Sequence, residues 1–340
     1  MIRSATLIAL GIIFSTSSYS STELHVFGDS LSDQGHAPIF ASGELVKAGA
    51  TFTNKTTGKP GKVWISYFSS LIKVDEPQPR SPIWEKYYGV DNIEATGFAV
   101  AGYTTDDIYS SIVDKGHYQE LSKSGLRGSS VFYSKQYFTV NDGYFHTEVS
   151  RKPDHVIATL WGGGNDLLKG GDPVRAADTL MKSVKALYDR DNIKCLILLD
   201  MPDLGALPFN YIISEKKNLP IDDYNTKKSK VSDTFNARMG ESIEALRDKV
   251  QFIRVSKLFS DVQENPENFG FSATNQSKYC INPVTEPHLP SVPCIKHPEE
   301  GSKLAFNDGI HPSTEMHKLV AQFVYDQIKS EDSCKAGDSI

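Results

Sequence analysis

The 340-residue chain is predicted to fold as a three-layer α/β/α sandwich around a central parallel sheet. Three observations lead there. Strand-like and helix-like segments alternate about five times, the order that builds a parallel sheet from crossover units. Two of the strand-like runs, His155–Trp161 and Ile193–Leu199, are apolar without alternation, as strands covered on both faces must be. Loops bearing Ser, Gly, Asn and Asp follow the predicted strands, where open α/β sheets gather their ligand-binding groups.

The first twenty residues stand apart. Arg3 precedes an apolar stretch from Ala5 to Phe14 and a Ser-rich run ending Ser18-Tyr19-Ser20. A basic start, an apolar middle and small residues before a cut make a secretory signal peptide over 1–20. The alternative is a short N-terminal core helix. Cleavage near Ser20 or Ser21 leaves 21–340 and implies a secreted or periplasmic protein.

Leu24 to Phe27 is then a short apolar strand that runs into Gly28 and delivers Ser30 at its carboxyl end. Residues 32–61, rich in Gly, Thr and Lys, read as a surface loop. Val63, Ile65, Phe68, Leu71 and Ile72 recur at helical spacing and predict a helix from Lys62 to Val74. Residues 75–93 are Pro- and aromatic-rich loop, and Gly97 to Thr105 is a short strand entering a turn of small residues. Residues 127–149 place β-rich runs around Asn141-Asp142-Gly143, a hairpin signal, so an antiparallel insertion is expected there. An irregular loop holding one short helix is the alternative.

His155–Trp161 ends at Gly162-Gly163-Gly164-Asn165-Asp166. Asp172-Pro173 starts a helix, N-cap followed by Pro at the first helical position, with Val174, Ala177, Met181, Val184 and Leu187 as its buried stripe. Ile193–Leu199 leads into Asp200-Met201-Pro202-Asp203-Leu204-Gly205. Asp222 to Asp248 reads as a helix and Val250 to Val255 as a further strand. A long Pro/Asn-rich loop, 264–305, precedes Asn307-Asp308-Gly309-Ile310-His311-Pro312-Ser313, which opens a last helix. No repeat or linker divides this order, so 21–340 is expected to be one domain.

Composition narrows the function. A net charge of −6 disfavours a nucleic-acid partner, which selects a basic face. No internal apolar run reaches the ~20 residues that span a bilayer, so an integral membrane protein is not expected. The four cysteines allow three pairings. Cys280 and Cys294 bracket a Pro-rich segment whose closure is worth roughly 3 kcal/mol, which makes them the preferred bridge. Cys195 begins an apolar strand and reads as a small buried hydrophobe. With neither C-x-x-C nor H-E-x-x-H, no metal or other cofactor is implied.

The chemistry gathers at the strand ends. A serine hydroxyl is a poor nucleophile until a base takes its proton and donors hold the oxyanion that forms. Asp308 and His311 lie three apart, close enough for the carboxylate to hold one imidazole nitrogen while the other faces Ser30. The backbone N–H groups of Ser30 and Gly102 and the amide of Asn165 are the candidate oxyanion donors. Asp200 and Asp203, at another strand end, are rival orienters for the imidazole. Asp29 and Asp33 read as loop ties, Asp166 as a cap for the turn after Asn165, and His25, His36, His155 and His317 as structural or surface residues.

Phe27-Gly28-Asp29-Ser30-Leu31-Ser32-Asp33 resembles the first block of the GDSL, or SGNH, hydrolase family. Phe98-Ala99-Val100-Ala101-Gly102 is similar to its second block, Gly163-Gly164-Asn165-Asp166 to its third, and Asp308-Gly309-Ile310-His311-Pro312 to its last. All four stand in the family's order. The second block departs slightly, with Gly97 where the family usually has Asn and Ala101 before the oxyanion glycine.

The resemblance implies a flavodoxin-like sandwich, Ser30 as nucleophile, His311 as base, Asp308 as orienter, and Gly102 and Asn165 as oxyanion donors. Met201-Pro202-Asp203-Leu204-Gly205 and the leader are most similar to secreted bacterial phospholipases, lysophospholipases and glycerophospholipid–cholesterol acyltransferases. The expected partner is therefore a lipid or lysophospholipid at a membrane surface or micelle. A carbohydrate acetyl esterase and a non-catalytic binding protein on the same fold are the alternatives. Phe132, Tyr133, Tyr137, Phe138, Tyr144 and Phe145 either line an acyl groove or pack the expected hairpin. The 280–294 loop either covers the site or is a passive staple.

Overall fold

The computed structural model describes residues 22–34, 39–41, 44–46, 62–79, 95–115, 142–147, 149–151, 153–272 and 303–335, with side chains in all but 39–41 and 44–46. Four parallel strands, β1 (Thr22–Gly28), β2 (His155–Trp161), β3 (Ile193–Leu199) and β4 (Val250–Ile253), pair in that order. Residues 96–100 run beside the free edge of β1. Val26 N donates to Thr96 O at 3.0 Å, Phe98 N to Val26 O at 2.7 Å and Val100 N to Gly28 O at 3.1 Å. Counting that segment second in chain order gives 2-1-3-4-5, the flavodoxin-like winding. Its switch point lies between β1 and β2.

The helices are α1 (Trp64–Ile72), α2 (Thr105–Val113), α3 (Gly164–Leu168), α4 (Pro173–Tyr188), α5 (Phe209–Lys217), α6 (Ile221–Ile243), α7 (Val255–Glu264) and α8 (Thr314–Ile328). Strand pleating sorts the core into two layers, because successive side chains point to opposite faces. Phe27, Val156, Ala158, Leu160, Leu196 and Leu198 pack with α2, α4 and α6. Leu24, Val26, Ile157, Trp161, Ile197 and Leu199 pack with α1, α7 and α8. The run without alternation predicted this arrangement, since both faces of each strand need apolar cover.

Several expectations change. The helix expected from Asp222 to Asp248 ends at Ile243 in a 3-10 turn, Glu244–Leu246. Val255 opens α7 rather than ending a strand; Val255, Leu258 and Val262 are its buried stripe. α2 is set by a capping box that Thr104 and Asp107 form across its first turn. Val174, assigned to the buried stripe of α4, is 41% exposed, because the apolar face begins one turn later at Ala176 and Ala177. The stretch read as loop over 32–61 contains a short antiparallel pair, Ile39–Ala41 with Glu44–Val46. Most of the expected hairpin lies outside the described residues. Where it enters them, Tyr144–His146 is a 3-10 turn and not a second strand.

The cysteines also differ. Cys195 is bonded to Cys334, joining β3 to the turn after α8, so it is buried but not a free hydrophobe. At a sequence separation of 139, no local pattern marks the pair. Cys280 and Cys294 lie outside the described residues.

Candidate active site

The turn after β1 exists because position 28 is glycine. Gly28 has φ 146°, and a Cβ there would sit 2.2 Å from the Trp161 carbonyl oxygen. Past it, Ser32 N and Asp33 N both donate to Asp29 O, and Leu31 N donates to the Asp29 carboxylate at 3.0 Å. This tight turn lifts Ser30 off the strand end. Among the described residues the Ser30 N–H has no hydrogen-bond acceptor.

The second block is tied to the first. The Asp33 carboxylate accepts from Ala101 N at 2.7 Å, and Val100 N reaches Gly28 O. Gly102 follows with φ 88°, a left-handed backbone that glycine adopts without steric cost. Its N–H is likewise without an acceptor among the described residues.

The third block starts at Gly163, φ 107°, where a Cβ would strike the Phe235 ring at 2.5 Å. That close seat sets the start of α3 and the position of Asn165. The Asn165 amide donates to Tyr103 O at 2.9 Å, which spends one of its two N–H bonds and aims the group. Asp166 accepts from Thr105 N at 2.9 Å and Thr105 Oγ1 at 3.1 Å, clasping α3 to the start of α2. The expected cap is therefore a clasp between two blocks.

The last block is a turn closed by its own carboxylate. One Asp308 oxygen accepts from Ile310 N at 3.0 Å and His311 N at 2.7 Å, with Gly309 at φ 81°. The other oxygen takes His311 Nδ1 at 2.7 Å. His311 Nε2 lies 2.8 Å from Ser30 Oγ, across 281 residues of sequence. Phe209 N, opening α5, donates to Gly309 O at 3.0 Å, and Ser313 caps α8 through Met316 N. The turn is thus fixed from both sides.

Burial alone would lower the His311 pKa. The Asp308 charge and hydrogen bond, with help from Asp29, outweigh it and hold the imidazole above its ordinary 6.5. Burial pushes the Asp29 carboxyl up to about 7, against the pull of Leu31 N and His311. His317 is the opposite case. Burial and the neighbouring His311 push it down to about 3, so it stays neutral and accepts Trp64 N at 3.2 Å.

Ser30, Gly102, Asn165, Asp308 and His311 therefore converge on the switch point between β1 and β2. The rival orienters are engaged elsewhere. Asp200 accepts Ser256 N at 2.8 Å and Ser256 Oγ at 2.5 Å, and Asp203 accepts Gly205 N at 2.7 Å and Ser229 Oγ at 3.0 Å. His25 is buried between Tyr144 Oη and Glu23, and His155 faces Ser333 O; His36 lies outside the described residues. Tyr144 stacks into the core against Phe27 and Phe98, and Phe145 sits under Arg190, so these two aromatics pack the fold. Phe132, Tyr133, Tyr137 and Phe138 are outside the described residues. The reading of the sequence missed Phe235 and Tyr103, which seat the third block through a ring edge and a carbonyl.

This geometry can transfer an acyl group: a base on a hydroxyl, a carboxylate behind the base, and unpaired donors beside the hydroxyl. The chain is 26% identical over 323 residues to Esterase EstA of Pseudomonas aeruginosa, covering 89% of this chain and 46% of that protein. Esterase EstA of Pseudomonas putida matches with the same identity and coverage. The chain thus spans about half the length of the curated relatives it matches. Among solved structures, Est24, a carbohydrate acetylesterase from Sinorhizobium meliloti, aligns at TM-score 0.41 and 12% identity, over 91% of this chain and 99% of that one. The native aryl esterase of M. smegmatis aligns at TM-score 0.40 and 11% identity, over 91% and 99%. The GDSL-like Lipase/Acylhydrolase family model matches residues 24–324. That match runs from the strand before Ser30 to the helix after His311, and on it the chain belongs to the GDSL lipase/acylhydrolase family of ester hydrolases.

Proposed function

We propose that the protein is a secreted lipolytic serine esterase, a lysophospholipase or phospholipase A, with Ser30, His311 and Asp308 as its triad. The observation that carries the chemistry is the 2.8 Å contact between Ser30 Oγ and His311 Nε2, backed by the buried Asp308. Ser30 Oγ attacks the ester carbonyl while its proton moves to His311 Nε2. The oxyanion is held by the N–H groups of Ser30 and Gly102 and by the second N–H of Asn165. The imidazolium then protonates the leaving alcohol, and an acyl-serine remains. Water, deprotonated by His311, attacks that ester and releases the fatty acid. A sterol or other alcohol in place of water turns the same intermediate into an acyl transfer.

Two features support a lipid acyl chain. The matched family is one of lipases and acylhydrolases. An apolar cleft beside the catalytic turn, walled by Leu207, Phe259, Val262, Leu304, Phe306 and Met316, offers methylene-binding surface. The proposal extends to one domain following a leader over 1–20. N-terminal sequencing of exported protein would read from about Ser20 or Ser21 if the leader is cut there.

Lipid product analysis tests the substrate. Lysophospholipid, diacyl phospholipid and a sterol acceptor are supplied together, alongside esters of increasing acyl length. Release of long-chain fatty acid is expected, abolished with fluorophosphonate labelling in Ser30→Ala. Preference for acetyl over long chains refutes the lipid reading, and labelling that survives Ser30→Ala refutes the nucleophile.

A further inference from the structure

The backbone from Ala101 to Thr105 carries five consecutive N–H groups, and four are taken. Ala101 N donates to the Asp33 carboxylate at 2.7 Å and Tyr103 N to Val100 O at 3.2 Å. Thr104 N donates to the Asp107 carboxylate and Thr105 N to the Asp166 carboxylate, both at 2.9 Å. Among the described residues Gly102 N alone has no acceptor. The open donor therefore stands in a segment whose ends are both held by carboxylates.

Two of those carboxylates come from the blocks that carry the other oxyanion donors. Asp33 belongs to the Ser30 turn, where its own N–H donates to Asp29 O at 3.0 Å. Asp166 follows Asn165 in the first turn of α3. Between the two ties, Tyr103 O accepts the Asn165 amide at 2.9 Å. The bonds form a closed circuit. Asp33 joins the Ser30 turn to Ala101, beside Gly102; Tyr103 joins that segment to Asn165; Asp166 joins α3 back to Thr105. Asp33 is 2% exposed. Burial pushes the Asp166 carboxyl up, and its bonds from Thr105 draw it back down. Charge-assisted bonds of this kind are roughly twice as strong as neutral ones, and a buried N–H that loses its acceptor is costly enough to re-seat the segment.

We propose that Asp33 and Asp166 are positioning residues for the oxyanion hole, which hold its three donors at one spacing. The inference rests on the serine-esterase reading above and deepens it. Asp33 acts through Gly102, and Asp166 acts through Asn165. Preset donors count more in the transition state than in the bound substrate, so losing either carboxylate should lower kcat and leave KM nearly unchanged.

A double-mutant cycle on soluble p-nitrophenyl butyrate tests this, with circular dichroism to confirm the fold. Asn165→Ala should cost about 10²–10³ in kcat. Asp166→Ala should cost about 10²-fold, the scale of a ~1 Å misplacement, with KM within about twofold. In the Asn165→Ala background the same change should cost less than about threefold, because the group it positions is gone. Asp33→Ala should cost about as much in either background, since Gly102 remains. Asp166→Asn should recover most of the rate, as its oxygen still accepts Thr105 N and its amide can donate to Thr105 Oγ1. If Asp166→Ala does not fold, Thr105→Val carries the cycle, with about a tenfold loss alone and less than about twofold beside Asn165→Ala. Equal losses from the Asp166 or Thr105 change in both backgrounds, or losses confined to KM, overturn the proposal while the oxyanion assignment stands. An Asn165→Ala enzyme with full kcat refutes that assignment and the proposal with it.

Discussion

Asp308→Asn is the sharpest perturbation of the site, because the structure separates what the two carboxylate oxygens do. One accepts the N–H groups of Ile310 and His311, and the other accepts His311 Nδ1. Asparagine keeps an oxygen for the two backbone bonds, so the turn and the fold survive. Its amide nitrogen then faces Nδ1 and can only donate. Nδ1 must become the acceptor, which places the imidazole proton on Nε2, against Ser30 Oγ. His311 is held in the wrong tautomer to act as base.

In the trypsin-like triad the same change costs ~10⁴ in kcat, or about 5.4 kcal/mol of barrier, and the same loss is expected here. The pH profile should move as well. His311 works as a base only when neutral, so activity falls as pH drops through its pKa. In the wild type that pKa lies above 6.5 because the Asp308 charge outweighs burial. Without the charge, burial prevails and the acid limb moves to lower pH. The assay is kcat/KM on a soluble p-nitrophenyl ester from pH 5 to 9, with circular dichroism to confirm the fold. A loss below tenfold with an unmoved acid limb would refute Asp308 as orienter.

Two further predictions follow from buried groups. Asp29→Asn removes a charge that supports protonated His311, so the acid limb should shift down; an unshifted limb would mean the two groups are not coupled. Its stability has a definite sign. A carboxyl raised from 3.8 to about 7 costs nothing below pH 4 and a penalty on the order of a few kcal/mol above pH 7, so the variant should gain relative stability as pH rises from 4 to 8. Cys334→Ala opens a loop of 139 residues and should lower stability by ~3–5 kcal/mol under oxidising conditions, read by urea unfolding. Equal midpoints for the variant and wild type would show that the bridge does not form.

Much of this protein is written locally. Apolar runs such as His155–Trp161 specify strands, because only burial on both faces accommodates the six consecutive buried residues from Val156 to Trp161. Asp172-Pro173 and Ser313 mark helix starts through capping chemistry that acts within one turn. Asp308 and His311 find each other for the same reason, as a three-residue turn is short enough to read directly. Ser30, Gly102 and Asn165 were legible as strand-end residues, and the parallel winding brings such ends together.

What lies beyond is decided by contacts between distant segments. Nothing local pairs Cys195 with Cys334, seats Gly163 against Phe235, or tells that Asp200 is occupied by Ser256. Tyr144 turns inward to His25 although its neighbours read as a hairpin, since a buried imidazole needs a partner 119 residues away. The sequence by itself determined the strands, the caps and the candidate reacting groups, because those depend on propensity and spacing. The tertiary structure alone decided that Asp200 and Asp203 are engaged elsewhere and which N–H groups stay unpaired among the described residues, because each depends on what packing has already taken.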